Sequence, residues 1–275
     1  MELSNRKQKL LELLGMVAIS YIVSARSVPH GLTPPITTKL TELFPSFGFE
    51  DKFVDFYGGK NVQKVNNGSA VNLVLDKSSG SGFSSKDTFY HGFFSAAIKL
   101  PSGFSAGVVV AFYMSNNQVF TKNHDETLSY LDMRSRRNGC SKPTSMPMAV
   151  FLVDNIPVRE VIHSEAMTAY PSKPMSLYST IWDGSDWATH GGNKPINYNY
   201  APFVASFKGF ELEGSVSNQT QPNTRLDPVD GQQFAKLSQD QQSGMGWVRN
   251  KFMFYSYCND TKRFNVMPPE CDERR

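Results

Sequence analysis

The run Val108-Val109-Val110-Ala111-Phe112-Tyr113-Met114 constrains this chain more than any other stretch. β-Branched and aromatic side chains in succession favour extended backbone, on which each residue faces away from the next. A polar turn then leads to Asn123-His124-Asp125-Glu126, so a carboxylate is delivered straight out of a β-rich apolar run. The same grammar extends from about residue 49 to 212, as short strands between Gly, Ser, Asn and Pro turns. In Val71-Asn72-Leu73-Val74-Leu75-Asp76 the alternation predicts Val71, Leu73 and Leu75 inward, with Asn72 and Asp76 toward water. Gly92 to Leu100 reads as another strand, ended by Pro101-Ser102-Gly103. Many short strands at this spacing predict an all-β sandwich of two sheets.

The N-terminus carries Arg6-Lys7-Gln8-Lys9, an apolar run from Leu10 to Val23, and then small residues at Ser24-Ala25. This is the layout of a secretory signal peptide spanning 1–25; the alternative, a signal anchor, would need a run of roughly 18 residues or more. The rest is long enough for one large β domain, 26–214, and an appendage, 215–275. Lys and Arg number 28 against 25 Asp and Glu, too small an excess to imply a nucleic-acid partner. Arg134-Ser135-Arg136-Arg137 is short and solitary, and reads as a solvated loop.

Three cysteines permit one bridge. Cys258 and Cys271 lie close together among turn-forming residues and are expected to pair, leaving Cys140 as the free thiol. Asn67, Asn218 and Asn259 begin glycosylation sequons, compatible with secretion. The five histidines, His30, His91, His124, His163 and His190, have no metal-ligand spacing with the cysteines, and no cofactor is implied. After Gly214 the composition turns linker-like until about Gly231. Ser238 with Gln241 then fits a capping box, and Met245, Val248, Phe252 and Tyr255 fall at helical spacing; Gly244 and Gly246 weaken that helix by about 1 kcal/mol each.

Thr180-Ile181-Trp182-Asp183-Gly184-Ser185-Asp186-Trp187-Ala188-Thr189-His190-Gly191-Gly192 is chemically legible. Indole faces stack on the apolar faces of pyranose rings, and neighbouring carboxylates accept hydrogen bonds from sugar hydroxyls. A Trp pair buried in the sandwich core is the structural alternative.

Ser105-Ala106-Gly107-Val108-Val109-Val110-Ala111-Phe112-Tyr113 leading to His124-Asp125-Glu126 resembles the plant xyloglucan endotransglucosylase/hydrolases of glycoside hydrolase family 16. The Trp-Asp-x-x-x-Trp-Ala-Thr-x-Gly-Gly block resembles the same family. So does Tyr255-Ser256-Tyr257-Cys258, followed by Arg263 and Pro268-Pro269-Glu270-Cys271. The resemblance implies a curved jelly roll with a short C-terminal extension containing a helix, whose concave face holds a polysaccharide. It implies Glu126 as nucleophile of a retaining mechanism, and substrate contacts at Trp182, Asp186, Trp187, Gly191, Tyr255 and Arg263. Xyloglucan polymer and oligosaccharide acceptors are the implied partners of a secreted, wall-located monomer that engages no nucleic acid and no membrane.

At its centre the chain departs from the family, which reads His-Asp-Glu-Ile-Asp-Phe-Glu. Leu128 stands at the helper aspartate's position and Tyr130 at the acid/base position. Asp132 is six residues from Glu126, roughly 20 Å along a strand at ~3.3 Å per residue. A retaining pair needs carboxyls about 5–5.5 Å apart, so Asp132 cannot substitute. A phenol of pKa about 10 is a poor general acid, and Tyr130 reads as a packing residue. The stretch from Thr127 to Leu152 is also shorter than its family counterpart by about thirty residues, several strands at ~5–6 residues each. A mis-spliced transcript or a wrong exon boundary would leave such a patch. The expected function is xyloglucan endotransglucosylation or hydrolysis, and the competing one is xyloglucan binding without turnover.

Overall fold

A computed structural model describes residues 33–116, 128–129, 133–135, 148–162, 173–217, 236–261, 267 and 271. Their strands run in chain order β1 (Phe53–Tyr57), β2 (Val62–Val65), β3 (Ala70–Leu75), β4 (Ser81–Lys99), β5 (Val108–Ser115), β6 (Leu128–Ser129), β7 (Met133–Ser135), β8 (Met148–Val153), β9 (Ile156–Ile162), β10 (Met175–Asp183) and β11 (Phe203–Val216). All described pairings are antiparallel.

β4 holds the architecture together because it changes neighbours along its length. At Phe83 it lies between Asp55 of β1 and Ser179 of β10. At Phe93 it lies between Glu213 of β11 and Arg134 of β7. One layer is therefore β1-β4-β10-β5-β6, and the other β2-β3-β11-β4-β7-β8-β9. The strand expected to begin at Gly92 is the far half of this longer one. Aromatic rings fill the space between layers: Phe83 meets Phe207 with ring centroids 5.4 Å apart, and Phe53 meets Phe210 at 4.7 Å. Val71, Leu73 and Leu75 join them, as the alternation along β3 requires. The result is the expected all-β sandwich with a C-terminal helix.

A second apolar cluster covers the outer face of the β11-containing layer. Phe93, Met148, Val150 and Leu152 meet Leu40 and Phe44 from the segment before β1, and Leu237 and Met245 from the C-terminal region. The helix Gln239–Lys251 starts where the sequence indicates, with the Ser238 hydroxyl accepting from the Gln241 N–H and the Gln241 side chain accepting from the Ser238 N–H. It ends earlier than the apolar spacing suggests. Phe252 is its C-cap, and Tyr255 lies beyond it, 45% exposed rather than on a buried stripe. Gly244 is also a point of close approach: an added Cβ would come 3.0 Å from Thr37 Cγ2 and 3.1 Å from Ile156 Cγ2.

Candidate carbohydrate-binding face

Alternation along β5 and β10 divides their side chains between the core and the opposite face. Phe112 and Met114, with Met175, Leu177 and Ile181, enter the core. Tyr113, Tyr178, Thr180 and Trp182 therefore point the other way. Tyr113 and Tyr178 stack at 5.5 Å, and Phe56 meets Tyr178 edge-on at 5.2 Å. Tyr57 donates to the Ile181 carbonyl at 3.2 Å, and burial pushes its hydroxyl up to about 12. Its strand neighbour is Gly82, where a Cβ would sit 2.7 Å from the Tyr57 ring. These rings form an aromatic floor that the chain's sequence had not singled out. The signal was present in the period-two reading of Val108 to Met114, which assigns Tyr113 and Phe112 to opposite faces.

At the end of β10 the floor continues into the tryptophan block. Trp182 pairs in register with Val109, and Asp183 with Val108. The chain then folds back tightly: Gly184 N–H donates to the Gly107 carbonyl at 2.9 Å, and Ala188 N–H to the Gly184 carbonyl at 2.8 Å, opening the short helix Ala188–Gly192. This turn carries Trp187 back beside Trp182, with ring centroids 5.7 Å apart and planes at 39°. Trp187 remains 42% exposed and Trp182 is half-buried, which removes the buried core pair from consideration.

The two carboxylates of the block differ. Asp186 is exposed. Asp183 accepts from the Ser185 N–H at 2.9 Å, from the Ser185 hydroxyl, and from the Tyr198 hydroxyl at 2.7 Å. Partial burial pushes its carboxyl up, but the Ser185 and Tyr198 hydrogen bonds outweigh it and hold the group below the usual carboxylate range. Desolvation first, and then Asp183 itself, raise Tyr198 to about 12. Asp183 is thus engaged with its own loop.

Cys258 and Cys271 are joined, with Cα atoms 5.4 Å apart. Arg159 of β9 anchors this end of the chain: it donates to the Tyr257 hydroxyl at 3.0 Å and lies over the Tyr257 ring at 4.9 Å. Tyr255 donates to Asp260 Oδ2 at 2.9 Å. Among the described residues no hydrogen bond or ring contact links Tyr255 to the tryptophan pair. Gly191, at φ 76°, lies in the last turn of the short helix Ala188–Gly192. Glu126, Tyr130 and Arg263 lie outside the described residues, as do residues 1–25, expected to be a signal peptide, Cys140 and Asn218. The backbone of Leu128 pairs with Met114 and that of Ser129 with Tyr113.

An antiparallel sandwich with an aromatic outer face and a tryptophan pair at its rim defines a carbohydrate-active β-protein, and the sequence model "Glycosyl hydrolases family 16" matches residues 49–128 and 146–200. The model "Xyloglucan endo-transglycosylase (XET) C-terminus" matches residues 222–271. Xyloglucan endotransglucosylase/hydrolase protein 27 of Arabidopsis thaliana is 39% identical, over 82% of this chain and 79% of the relative. Protein 1 of the same plant is 34% identical over 96% of this chain and 98% of the relative. Among solved structures, a prokaryotic β-1,3-1,4-glucanase (lichenase) derived from a mouse hindgut metagenome is similar at 15% identity and a TM-score of 0.42, over 61% of this chain and 97% of that one. The chain belongs to the xyloglucan endotransglucosylase/hydrolases. The interval 129–145 falls outside the family 16 match. The alignment to protein 1 runs over 300 positions, more than the 275 residues of this chain, so that relative carries residues with no counterpart here.

Proposed function

We propose that this chain engages the β-1,4-glucan backbone of cell-wall xyloglucan along the outer face of the β10-containing layer, after secretion to the apoplast. The observation that carries the reading is the half-exposed Trp182–Trp187 pair with Asp186 beside it, a stacking surface next to a free hydrogen-bond acceptor. In a full retaining reaction the Glu126 carboxylate attacks the anomeric carbon, the glycosidic C–O bond breaks, and an acid protonates the departing oxygen. The glycosyl ester then passes to a second xyloglucan chain or to water, with the same group acting as base. This chain has the nucleophile and lacks the acid, since Tyr130 holds that position.

Leu128 and Tyr130 favour a second reading, a wall protein that binds xyloglucan without turning it over. Affinity electrophoresis in xyloglucan gels tests the part the two share: retardation of the chain is expected, and its loss in the Trp182→Ala/Trp187→Ala double variant. Unchanged mobility of that variant would remove the support for this face as the binding site.

A further inference from the structure

Every hydrogen bond that the Asp183 side chain makes among the described residues runs back into its own loop. Oδ1 holds the N–H and hydroxyl of Ser185, and Oδ2 holds the Tyr198 hydroxyl. The Ser185 Oγ in turn accepts from the Ile196 N–H at 2.9 Å. One side chain thereby ties together residues 183, 185, 196 and 198, the two ends of the excursion that carries Trp187. A carboxylate offers about four acceptor positions, and three are filled here. A sugar hydroxyl would compete with the bonds that shape the loop.

We infer that Asp183 is a positioning residue: it touches no sugar and, through Ser185 and Tyr198, fixes the spacing and angle of Trp187 against Trp182, so that the stacking surface exists before ligand arrives. The inference rests on the reading of that pair as a sugar platform. Preorganisation of this kind strengthens binding because the loop's ordering cost is met on folding. Trp182 sits on a sheet strand and cannot move far. Trp187 sits beyond a tight turn, and without the Asp183 bonds only the backbone hydrogen bonds of that turn hold its ring beside its partner.

The test uses the secreted chain and two readouts, retention in xyloglucan gels and the exciton couplet of the tryptophan pair in circular dichroism of the free protein. Trp247, the third tryptophan, stands in the C-terminal helix against Phe252 and gives a constant background. Asp183→Ala is expected to diminish the couplet without ligand and to weaken retention by roughly tenfold, the factor that about 1.4 kcal/mol produces. Asp183→Asn is expected to restore both to within about twofold, because the amide oxygen still accepts from Ser185 and the amide nitrogen donates to the Tyr198 oxygen. Tyr198→Phe removes the Oδ2 partner alone and should move both readouts in the direction of Asp183→Ala.

Retention lost with the couplet intact in Asp183→Ala would make Asp183 a direct sugar contact and overturn the inference. So would retention unchanged in that variant. Should Asp183→Ala fail to fold, Tyr198→Phe carries the test, and unchanged readouts there overturn the inference equally. Trp187→Ala separates the two levels of argument. If it leaves retention unaltered, the sugar platform fails, while the couplet still reports whether Asp183 positions the ring.

Discussion

Gly192 and Glu211 are single positions whose chemistry makes opposite demands on their surroundings. Gly192 has φ 88°, and an added Cβ would stand 2.5 Å from the Ser185 carbonyl oxygen. Gly192→Ala is therefore expected to cost about 1–3 kcal/mol, concentrated in the loop that carries Trp187. Weaker xyloglucan retention than wild type, with a lowered melting temperature, is the outcome to look for. Glu211 lies on β11 opposite Ser95, 7% exposed, and its Oε2 has no hydrogen-bond partner among the described residues. Burial raises its carboxyl above the usual range, and the Ser95 hydrogen bond opposes that only in part. The folded state therefore favours the protonated form. Its stabilising contribution is complete below the unfolded glutamate value of about 4.3 and is lost as pH rises through the higher folded value. Glu211→Gln cannot ionise, so its melting temperature should gain on wild type as pH climbs from about 4 to about 8. A constant difference across that range would contradict the assignment.

Elements show where sequence alone stopped being informative. Strand existence was legible, and in β3 the inward residues Val71, Leu73 and Leu75 are the ones the pattern selects. The union of two expected segments into β4 was not legible. Its neighbours change halfway, from β1 and β10 to β11 and β7, and pairing partners distant in sequence leave no local mark. The tryptophan block was recognisable from residue types, but the division of labour between Asp183 and Asp186 needed the hydrogen bonds of the turn. The C-terminal helix was placed correctly at its start, because a capping box is local, and too long at its end, because Phe252 and Tyr255 kept the spacing after the helix had stopped. Gly244 was read as a weak point from propensity, yet it also packs closely against Thr37 and Ile156, so a side chain there would push on both neighbours. Gly244→Leu should accordingly cost about 1–3 kcal/mol by overpacking, despite the better helix propensity of leucine. A thermal melt decides it, since a gain in stability would mean that the helix has room to shift away from β9.

For the whole molecule, the governing fact is a family fold whose flanks are intact around a changed centre. The family 16 match stops at residue 128 and resumes at 146, and the aligned length to protein 1 exceeds the length of this chain. Binding and turnover draw on different parts of this arrangement. In the proposed function, binding draws on the outer face between Tyr57 and Trp187, where β10 pairs with β5 without a break and with β4 on either side of a register shift between Ser176 and Tyr178. In the proposed reaction, turnover draws on a carboxyl pair, of which the sequence supplies Glu126 alone. A missing general acid removes typically 10²–10⁴-fold of rate, and the residues absent between the two matched intervals would have shaped the cleft around it. The purified chain is therefore expected to retain xyloglucan binding with little or no transfer of a labelled xyloglucan oligosaccharide to polymer. Leu128→Asp combined with Tyr130→Glu should not restore transfer, because two carboxyls without the surrounding strands have no fixed 5–5.5 Å separation to adopt. A version carrying the full family segment in place of Thr127 to Leu152 should restore it. Robust transfer by the unaltered chain would require an acid elsewhere on the face, and transfer by the double substitution alone would show that the remaining strands suffice to hold the pair.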